Sequence, residues 1–336
     1  MTSLALPATT LCRGCGRPRG EVCSTYPVCM HCDDRIQPYI ALELFLLWRR
    51  TGIYPRIFPN LQLHQKGNPE KIIWSYWHDQ NLPPVVQLAL LSWQHFHPDW
   101  TIYFLTSHSL SVFITSLELP PTFSSQSHAH QADIIRIILL EKYGGIWIDS
   151  SIIIQKRIDS QWFPQTYDVG GFYISDFTTD PNYKVFENWF IAAPRNSPLI
   201  KAWKNEFFRA LSFPKKSDYI AQLEKEKVPI NKIKMKEYLM MHCCFIKVLK
   251  DNEGKFNIRQ IEVGDKQNGP LYYLGSNGWD TDKAVQSLIN PDPKSNYIQP
   301  VIKLRGGERS ALDKKLTQVH PDSVVGKIAH QVLNRS

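Results

Sequence analysis

One stretch of the sequence, residues 131–154, restricts the possible folds of this chain more than any other. Its first part is apolar on nearly every side of a helix, so we expect this helix to lie inside a core. Gly144 and Gly145 follow, and glycine readily takes the left-handed conformation that closes a helix. An apolar strand comes next and ends in a carboxylate and two hydroxyls at positions 149–151, which packing alone does not explain.

Two opposite charges interrupt the apolar helix. Asp133 and Arg136 lie three positions apart, so their side chains project from the same side of the helix. One interpretation is an ion pair that serves only the fold. Burying an ion pair costs more free energy than it returns, however, so a pair in such an apolar helix indicates a binding role.

The combined pattern resembles the sugar-nucleotide site of DXD-type glycosyltransferases, in particular glycosyltransferase family 32 and the bacterial capsular polysaccharide synthesis proteins. The residues that carry the resemblance are Asp133, Arg136, Tyr143, Gly144, Gly145 and Asp149. Similar segments at 71–77, 82–84, 92–93 and 188–194 extend it over roughly residues 70–305, a length that suits one domain. The resemblance implies a GT-A-like fold and a retaining transferase of the hexosyltransferase type. Its expected donor is a nucleotide sugar, a UDP-sugar, and its expected acceptor is a glycan or a protein.

The resemblance also implies roles for individual residues. Asp149, Asp133 and Arg136 are the expected catalytic residues, with Asp133 and Arg136 hydrogen-bonded to the hydroxyls of the donor sugar. Asp149 is expected to anchor Mn2+ or Mg2+, which would stabilise the charge on the diphosphate, because carboxylate oxygen suits these cations. The expected donor-binding set is Trp74, Tyr76, Asp133, Arg136, Tyr143, Gly144, Gly145, Asp149, Ser151 and Lys303.

Two of these residues leave alternatives open. Trp74 either stacks on the uracil of the donor or fills the core, since large aromatic side chains are readily buried. Ser151 stands where a full Asp-x-Asp motif has its second aspartate. Capsular-type relatives tolerate a lone aspartate. The departure nevertheless makes a catalytically inactive relative, which binds a sugar nucleotide or a glycan, the alternative function.

Strand and helix patterns alternate along the main part of the chain. Strands are predicted at 71–77, 101–105, 146–148, 168–175 and 189–193, and helices at 84–96, 131–143, 198–211 and 215–250. This alternation predicts an α/β fold with a mixed, mostly parallel sheet that is flanked by helices and binds ligands at the carboxyl ends of its strands. The main domain is expected at 70–305, followed by a helical C-terminal tail at 306–336.

The N-terminal segment, residues 1–36, differs from the rest in its cysteines. Cys12 and Cys15 form one Cys-x2-Cys pair, and Cys29 and Cys32 form another. Four thiolates complete the tetrahedron that structural zinc prefers, so we predict a small zinc-binding module. Disulfides, or reduced cysteines without a function, are the alternatives. A helix and a connector at 37–69 would join this module to the main domain.

The formal net charge of +8 favours anionic partners such as nucleotide phosphates or lipid head groups. A zinc-containing nucleic-acid-binding protein is the least supported function, because the basic residues are scattered, and no nucleic-acid partner is expected. The sequence has no long apolar run that could span a membrane and no visible secretory signal, which predicts a cytoplasmic protein. Peripheral attachment to a membrane and export without a cleaved signal stay open.

Overall fold

The computed structural model describes residues 71–79, 81–158, 167–263, 269–291 and 300–333. The predicted zinc module with Cys12, Cys15, Cys29 and Cys32 lies outside the described residues, as does the connector at 37–69. Within the described ranges, strands and helices alternate along the chain, as the sequence predicts.

The strands form one large and one small sheet. Their bounds are β1 Ile72–Tyr76, β2 Thr101–Leu105, β3 Gly145–Ile148, β4 Ile152–Ile154, β5 Val169–Ile174, β6 Val185–Ala193, β7 Ile258–Glu262 and β8 Val301–Lys303. The large sheet has the order β2-β1-β3-β6-β5-β7, and its neighbours are parallel except where β6 runs antiparallel to β3 and β5. The prediction of a mixed, mostly parallel sheet is confirmed, and its parallel strands bring their carboxyl ends to one edge.

Helices cover both faces of the large sheet. They are α1 Pro84–Phe96, α2 His128–Tyr143, α3 Pro198–Leu211, α4 Lys216–Lys225, α5 Met240–Asp251, α6 Tyr272–Gly275, α7 Thr281–Ile289, α8 Gly306–Lys315 and α9 Val324–Leu333. Alternate residues of a strand point to opposite faces. Ile73 of β1 therefore joins the core that contains α1, α7, α8 and α9, whereas Ile72 and Trp74 join the core that contains α2, α3, α4 and α5. None of the described helices is long and apolar enough to cross a membrane.

The sequence predicts one helix over the basic segment 215–250, but the structure does not contain it as a single helix. It forms α4 and α5, and residues 226–239 between these helices run mainly through turns. Pro229 accounts for the interruption, because proline inside a helix removes a hydrogen bond and clashes with the preceding turn. Lys227 and Met235 have φ angles of 55° and 50°, which a right-handed helix does not contain.

The small sheet brings the C-terminal part of the chain next to the end of β3. Strand β4 follows three residues after Asp149, and its Ile152 pairs with Lys303 of β8 in antiparallel register. Beyond β8, Leu312 of α8 and Ile328 of α9 are buried in the same core as α1. The described part of the predicted tail, residues 306–333, contains α8 and α9, and apolar side chains of both helices pack into the main domain.

Candidate active site

Asp149 follows directly after β3, at the carboxyl edge of the large sheet. Its backbone N–H donates to the Trp189 carbonyl at 2.9 Å, which continues the pairing of β3 with β6 past the strand end. Both carboxylate oxygens accept hydrogen bonds. Oδ1 accepts from Arg136 Nη2 at 2.9 Å and from Trp147 Nε1 at 3.0 Å. Oδ2 accepts from Lys303 Nζ at 2.8 Å, so the carboxylate is held in one orientation.

Helix α2 supplies the second carboxylate of the site. Asp133 and Arg136 form an ion pair across one helical turn, and their side chains are only 7% and 4% exposed. Asn188 of β6 donates from Nδ2 to Asp133 Oδ1 at 2.8 Å. The Arg136 guanidinium also lies over the Trp147 ring, 4.9 Å from its centroid. The ion pair is therefore present, but Arg136 bridges Asp133 and Asp149 and makes the pair part of a larger network.

Lys303 reaches this network from the end of β8, 154 residues after Asp149 in the sequence. Its side chain is 12% exposed, and its Nζ lies 5.6 Å from the centroid of the Trp189 ring. The structure thus gathers Asp133, Arg136, Asp149 and Lys303 in one place. We call these four side chains the charged quartet.

The two carboxylates of the quartet have pKa shifts of opposite sign. Burial raises the pKa of Asp133, and the neighbouring Arg136 opposes this only in part. Burial acts on Asp149 in the same direction, but Lys303 and Arg136 outweigh it and hold the pKa of Asp149 below its ordinary value. Asp149 is therefore ionised at neutral pH, whereas burial and Arg136 act on the pKa of Asp133 in opposite directions.

The residues around Asp149 do not match a site for Mn2+ or Mg2+. Such cations need carboxylate oxygens that are free to coordinate them. Both oxygens of Asp149 accept from N–H donors, and the Lys303 ammonium stands beside Oδ2, where a cation would bind. In the described part of the chain, no group of three or more His, Cys, Asp or Glu side chains is placed to hold a metal. The expected metal at Asp149 therefore does not fit the arrangement of these side chains.

Trp74 and Tyr143 belong to the core and not to the candidate site. Trp74 has no exposed surface, and its ring stacks on Tyr103 with centroids 4.6 Å apart. Its Nε1 donates to the Gly144 carbonyl at 2.8 Å, which ties β1 to the end of α2. Tyr143 is buried as well, and its hydroxyl donates to the Phe113 carbonyl at 3.0 Å. The structure therefore supports the interpretation of Trp74 as a core residue. The donor-binding role predicted for Tyr143 is also corrected to a role in the core.

Gly144 and Gly145 shape the path of the chain from α2 into β3. Their φ angles are 69° and 96°, so the predicted glycine end of the helix is confirmed. A Cβ at Gly144 would lie 2.5 Å from the backbone nitrogen of Arg195, and one at Gly145 would lie 2.8 Å from the Ile72 carbonyl oxygen. Strand β3 separates these glycines from Asp149 by about 13 Å at the usual rise of a strand. Their predicted contact with the donor is therefore corrected to a structural role.

Ser151 lies two residues after Asp149 in the chain, and Tyr76 ends the strand that neighbours β3. The side chains of both residues are buried in the fold. Ser151 is buried, and its Oγ donates to the Leu304 carbonyl at 2.8 Å, which ties the start of β4 to the end of β8. It therefore does not replace the second aspartate of the motif. Tyr76 ends β1 and is buried, and burial raises the pKa of its hydroxyl.

Two residues of the site were not predicted. Trp147 precedes Asp149 by two positions, so both side chains project from the same face of the strand, and this spacing was a usable signal. Asn188 reaches Asp133 across 55 residues of sequence. No local pattern predicts that contact, because it depends on how β6 packs against α2.

A row of flat side chains lies at the carboxyl end of β1, which neighbours the end of β3. The Arg309 guanidinium of α8 is 5.0 Å from the Trp77 ring centroid, and the Trp77 and His78 centroids are 5.0 Å apart. His78 in turn stacks on His128 with centroids 3.8 Å apart. His128 is exposed, and Trp77 and His78 are partly exposed. Accessible flat rings of this kind suit a nucleobase.

Another network borders Asp133. Lys216 Nζ lies 2.7 Å from His130 Nδ1, and His130 Nε2 lies 3.1 Å from the Tyr238 carbonyl oxygen. Because an ammonium group only donates, Nδ1 accepts from Lys216 and Nε2–H donates to the carbonyl. This network ties Tyr238 to α2 and leaves 56% of Tyr238 exposed. Burial first, and then Asp133 and Asp149, raise the pKa of its phenol.

Curated glycosyltransferases are among the proteins that are similar to this chain. It is 32% identical over 171 residues to the O-glycosyltransferase braB of Annulohypoxylon truncatum, which covers 45% of this chain and 40% of that protein. It is 29% identical over 177 residues to the glycosyltransferase afumC of Aspergillus fumigatus (strain CBS 144.89 / FGSC A1163 / CEA10), which covers 46% of this chain and 44% of that protein. Both relatives are glycosyltransferases, the class of enzyme that the sequence predicts. The chain spans less than half the length of either relative.

The chain also resembles a solved structure and a protein family. The PaToxG glycosyltransferase shares 13% sequence identity with it at a TM-score of 0.35, over 83% of this chain and 95% of that one. The model of the capsular polysaccharide synthesis protein family matches residues 56–287. This match covers more than half of the sequence, so the chain belongs to the capsular polysaccharide synthesis protein family.

Proposed function

We propose that this chain transfers a sugar from a nucleotide-sugar donor to an acceptor hydroxyl, and that the charged quartet is its catalytic centre. The observation that supports this most strongly is the convergence of four charges from α2, β8 and the end of β3. Burying charges costs free energy, so such a group at the ligand-binding edge of a sheet indicates a functional site. A GT-A-like identity of the fold is part of the proposal.

The quartet supplies both kinds of charge that the reaction needs. When the bond between the sugar and the diphosphate breaks, negative charge grows on the leaving phosphate oxygen and positive charge grows on the sugar ring. Lys303 and Arg136 are positioned donors that stabilise the negative charge on the phosphate oxygen. The carboxylates of Asp133 and Asp149 stabilise the positive charge on the sugar ring. In a retaining transfer, the acceptor hydroxyl attacks on the face that the diphosphate leaves. Its proton then passes to the departing phosphate oxygen.

The finer features of the reaction rest on the family resemblance. They are a UDP-sugar as donor, a hexosyl group as the transferred sugar, retention of configuration, and a glycan or protein as acceptor. The flat side chains of Trp77, His78 and His128 offer the nucleobase a surface in place of Trp74. The exposed ring of Tyr238, whose backbone is tied to α2 through His130, offers the acceptor an aromatic surface.

Three expectations stay predictions of the sequence. They are zinc at Cys12, Cys15, Cys29 and Cys32, peripheral attachment to a membrane, and a cytoplasmic location. Elemental analysis of the purified full chain tests the first of them. Loss of zinc should unfold the N-terminal module alone, because small zinc modules bury too little surface to fold without their metal.

A catalytically inactive relative that binds sugar nucleotides is the second candidate function. It is favoured by the serine at position 151, which gives Asp149 no second carboxylate at the motif and whose hydroxyl donates to the Leu304 carbonyl. Such a protein would still use Arg136 and Lys303 to bind the donor.

Turnover of a panel of nucleotide sugars tests the proposal. The panel should contain UDP-, GDP- and ADP-linked hexoses, with water or added glycans as acceptors, in EDTA and in Mn2+. We expect release of the nucleoside diphosphate from at least one donor, loss of this release in Asp149→Asn, and a first-formed anomer with the donor's configuration by proton NMR. Saturable binding without turnover would support the inactive relative. Absence of both binding and turnover would contradict each candidate.

A further inference from the structure

We infer that Lys303 takes the place of a divalent cation at the donor diphosphate, so that this chain binds nucleoside diphosphates without a metal. The inference rests on the proposed function and names the group that neutralises the leaving diphosphate in it. It starts from the mismatch between the residues around Asp149 and a metal site.

The Lys303 ammonium occupies the position that a cation bound to Asp149 would need. Its Nζ lies 2.8 Å from Asp149 Oδ2, and the Trp189 ring lies 5.6 Å away on another side. The side chain is 12% exposed, so little water competes for the charge. A charge-assisted hydrogen bond in such surroundings is stronger than one at the open surface.

The backbone of Lys303 is fixed by strand pairing and by two further hydrogen bonds, which restricts the positions that its ammonium group can reach. Lys303 is the last residue of β8 and pairs with Ile152 of β4. Its N–H donates to the Pro270 carbonyl at 2.9 Å, and its carbonyl accepts from the Tyr273 hydroxyl. Strand β4 begins just after Asp149, so the same small sheet positions both members of the Lys303–Asp149 pair. A charge held in this way needs little reorganisation when negative charge develops beside it.

The charge balance of the site also favours a lysine over a divalent cation. The quartet has two carboxylates, and Arg136 already bridges them through Asp133 Oδ1 and Asp149 Oδ1. A divalent cation on Asp149 Oδ2 would have to displace Lys303, and Ser151 offers no second carboxylate to hold it. A diphosphate that approaches Lys303 instead meets a cation that is already in place.

Binding of nucleoside diphosphates by calorimetry tests the inference. We would titrate UDP, GDP and ADP into the full-length chain, once in EDTA and once in Mn2+. For the nucleotide that binds, we expect dissociation constants within about twofold of each other in the two buffers. We expect Lys303→Met to weaken binding in EDTA by roughly 10- to 100-fold, the range for the loss of one charge-assisted hydrogen bond. Lys303→Arg keeps the charge and should keep most of the affinity.

Removal of the lysine should also make the site respond to metal. In Lys303→Met, Asp149 Oδ2 loses its cationic partner, so Mn2+ can take the vacated position. We expect Mn2+ to restore part of the affinity of this variant, and the electron paramagnetic resonance of Mn2+ to show a bound fraction that the unsubstituted chain lacks. Lys247→Met is the matched control, because Lys247 is similarly buried at 14% exposure and pairs with Asp251, which is not a member of the quartet. It should bind like the unsubstituted chain in both buffers.

The outcomes separate this inference from the proposed function. If EDTA abolishes nucleotide binding by the unsubstituted chain and Mn2+ restores it, the inference is overturned and the function stands. The same holds if Lys303→Met binds normally in EDTA. The comparison of the two buffers on the unsubstituted chain decides the question even if Lys303→Met does not fold. If none of the three nucleotides binds in either buffer, the proposed function fails, and the inference fails with it.

Discussion

The charged quartet and a second group of charges, between helices α3, α4 and α5, both pair carboxylates with one arginine and one lysine, but they are built in opposite ways. We call the second group the peripheral cluster, and its members are Glu206, Arg209, Glu226, Lys247 and Asp251. Arg209 pairs with Glu206 three positions away, and Lys247 pairs with Asp251 four positions away. Arg209 is 36% exposed and Asp251 is 48% exposed. The cluster therefore needs little more than its own helices to form.

The quartet depends on the complete fold. Its four members come from helix α2, the end of β3 and the end of β8, and its longest pair spans 154 residues. Three of the four side chains are at most 12% exposed. Exposed ion pairs contribute little because water and salt screen them, whereas a buried charge that loses its partner is strongly destabilising. We therefore expect substitutions in the quartet to have large effects, and comparable substitutions in the peripheral cluster to have small ones.

The largest effect on stability is expected from Arg136→Ala. This change removes the cation that bridges Asp133 and Asp149 and leaves the buried Asp133 with Asn188 as its remaining donor. Loss of one partner from a buried ion pair costs about 3–5 kcal/mol. Urea unfolding measures the change, and Arg209→Ala serves as the control, with an expected cost of about 1 kcal/mol because Arg209 is 36% exposed and Glu206 keeps the Tyr219 hydroxyl as a donor. A similar loss of unfolding free energy in both variants would contradict the expected difference between the quartet and the peripheral cluster.

The largest effect on activity is expected from Asp149→Asn. Asparagine keeps the size of the side chain but removes the charge that orients Lys303 and Arg136. Removal of a main electrostatic stabiliser lowers turnover by about a hundredfold or more. Release of nucleoside diphosphate from the best donor of the panel measures this effect, and Asp251→Asn in the peripheral cluster is the control. Near-normal turnover by a folded Asp149→Asn protein would show that the quartet is not the catalytic centre.

A smaller effect is expected from Ser151→Asp, which restores the full Asp-x-Asp motif. A carboxylate at this position would face the Leu304 carbonyl and lose the hydrogen bond that Ser151 donates. A buried polar group without a partner costs about 1–3 kcal/mol. We expect this loss in urea unfolding, without a gain in Mn2+ affinity by calorimetry. Tighter Mn2+ binding would mean that the new side chain turns toward Asp149 and that the motif can be rebuilt.

The opposite pKa shifts of the two carboxylates predict opposite pH dependences. The pKa of Asp149 is lowered in the folded chain, so its stabilisation is present above the ordinary value near pH 4 and is lost as the pH falls through the lowered pKa. The pKa of Asp133 is raised, so its stabilisation is present below about pH 4 and is lost as the pH rises through the raised pKa.

Unfolding free energies of Asp149→Asn, Asp133→Asn and the unsubstituted chain between pH 3 and 7 measure these dependences. The difference between the unsubstituted chain and Asp149→Asn should shrink in acid, and the difference for Asp133→Asn should grow. Changes in the same direction for both variants would show that the two carboxylates share one environment.

The sequence predicts the local features of the site better than its long-range contacts. The bounds of α1 and β2 agree with the prediction because their apolar periodicity and flanking breaks are local signals. Asp133, Arg136 and Asp149 stand out because charges are rare in such apolar segments. The contact of Lys303 with Asp149 depends on how β8 pairs with β4, which no local pattern encodes.

The same distinction explains the errors of the prediction. Tyr143, Gly144 and Gly145 occur beside the catalytic residues in the motif, but the length of β3 carries them to the opposite end of the strand. The lysines of 215–250 suggested one continuous helix, although Pro229 was a local signal against it. Residues that are close in the sequence therefore belong to one structural unit, but they do not all belong to the same site.

The smallest effect on the unfolding free energy is expected from Lys247→Met, a substitution in the peripheral cluster. Lys247 is nearly as buried as Lys303 and pairs with both Glu226 and Asp251, yet these partners are 33% and 48% exposed. After the substitution, both carboxylates stay in contact with water, so the expected cost is at most about 1 kcal/mol in urea unfolding. Turnover should stay unchanged. A cost as large as that of Arg136→Ala would show that burial of the lysine alone sets the penalty. A small cost would show that carboxylates in contact with water tolerate the loss of a lysine, unlike Asp133 of the quartet, whose side chain is only 7% exposed.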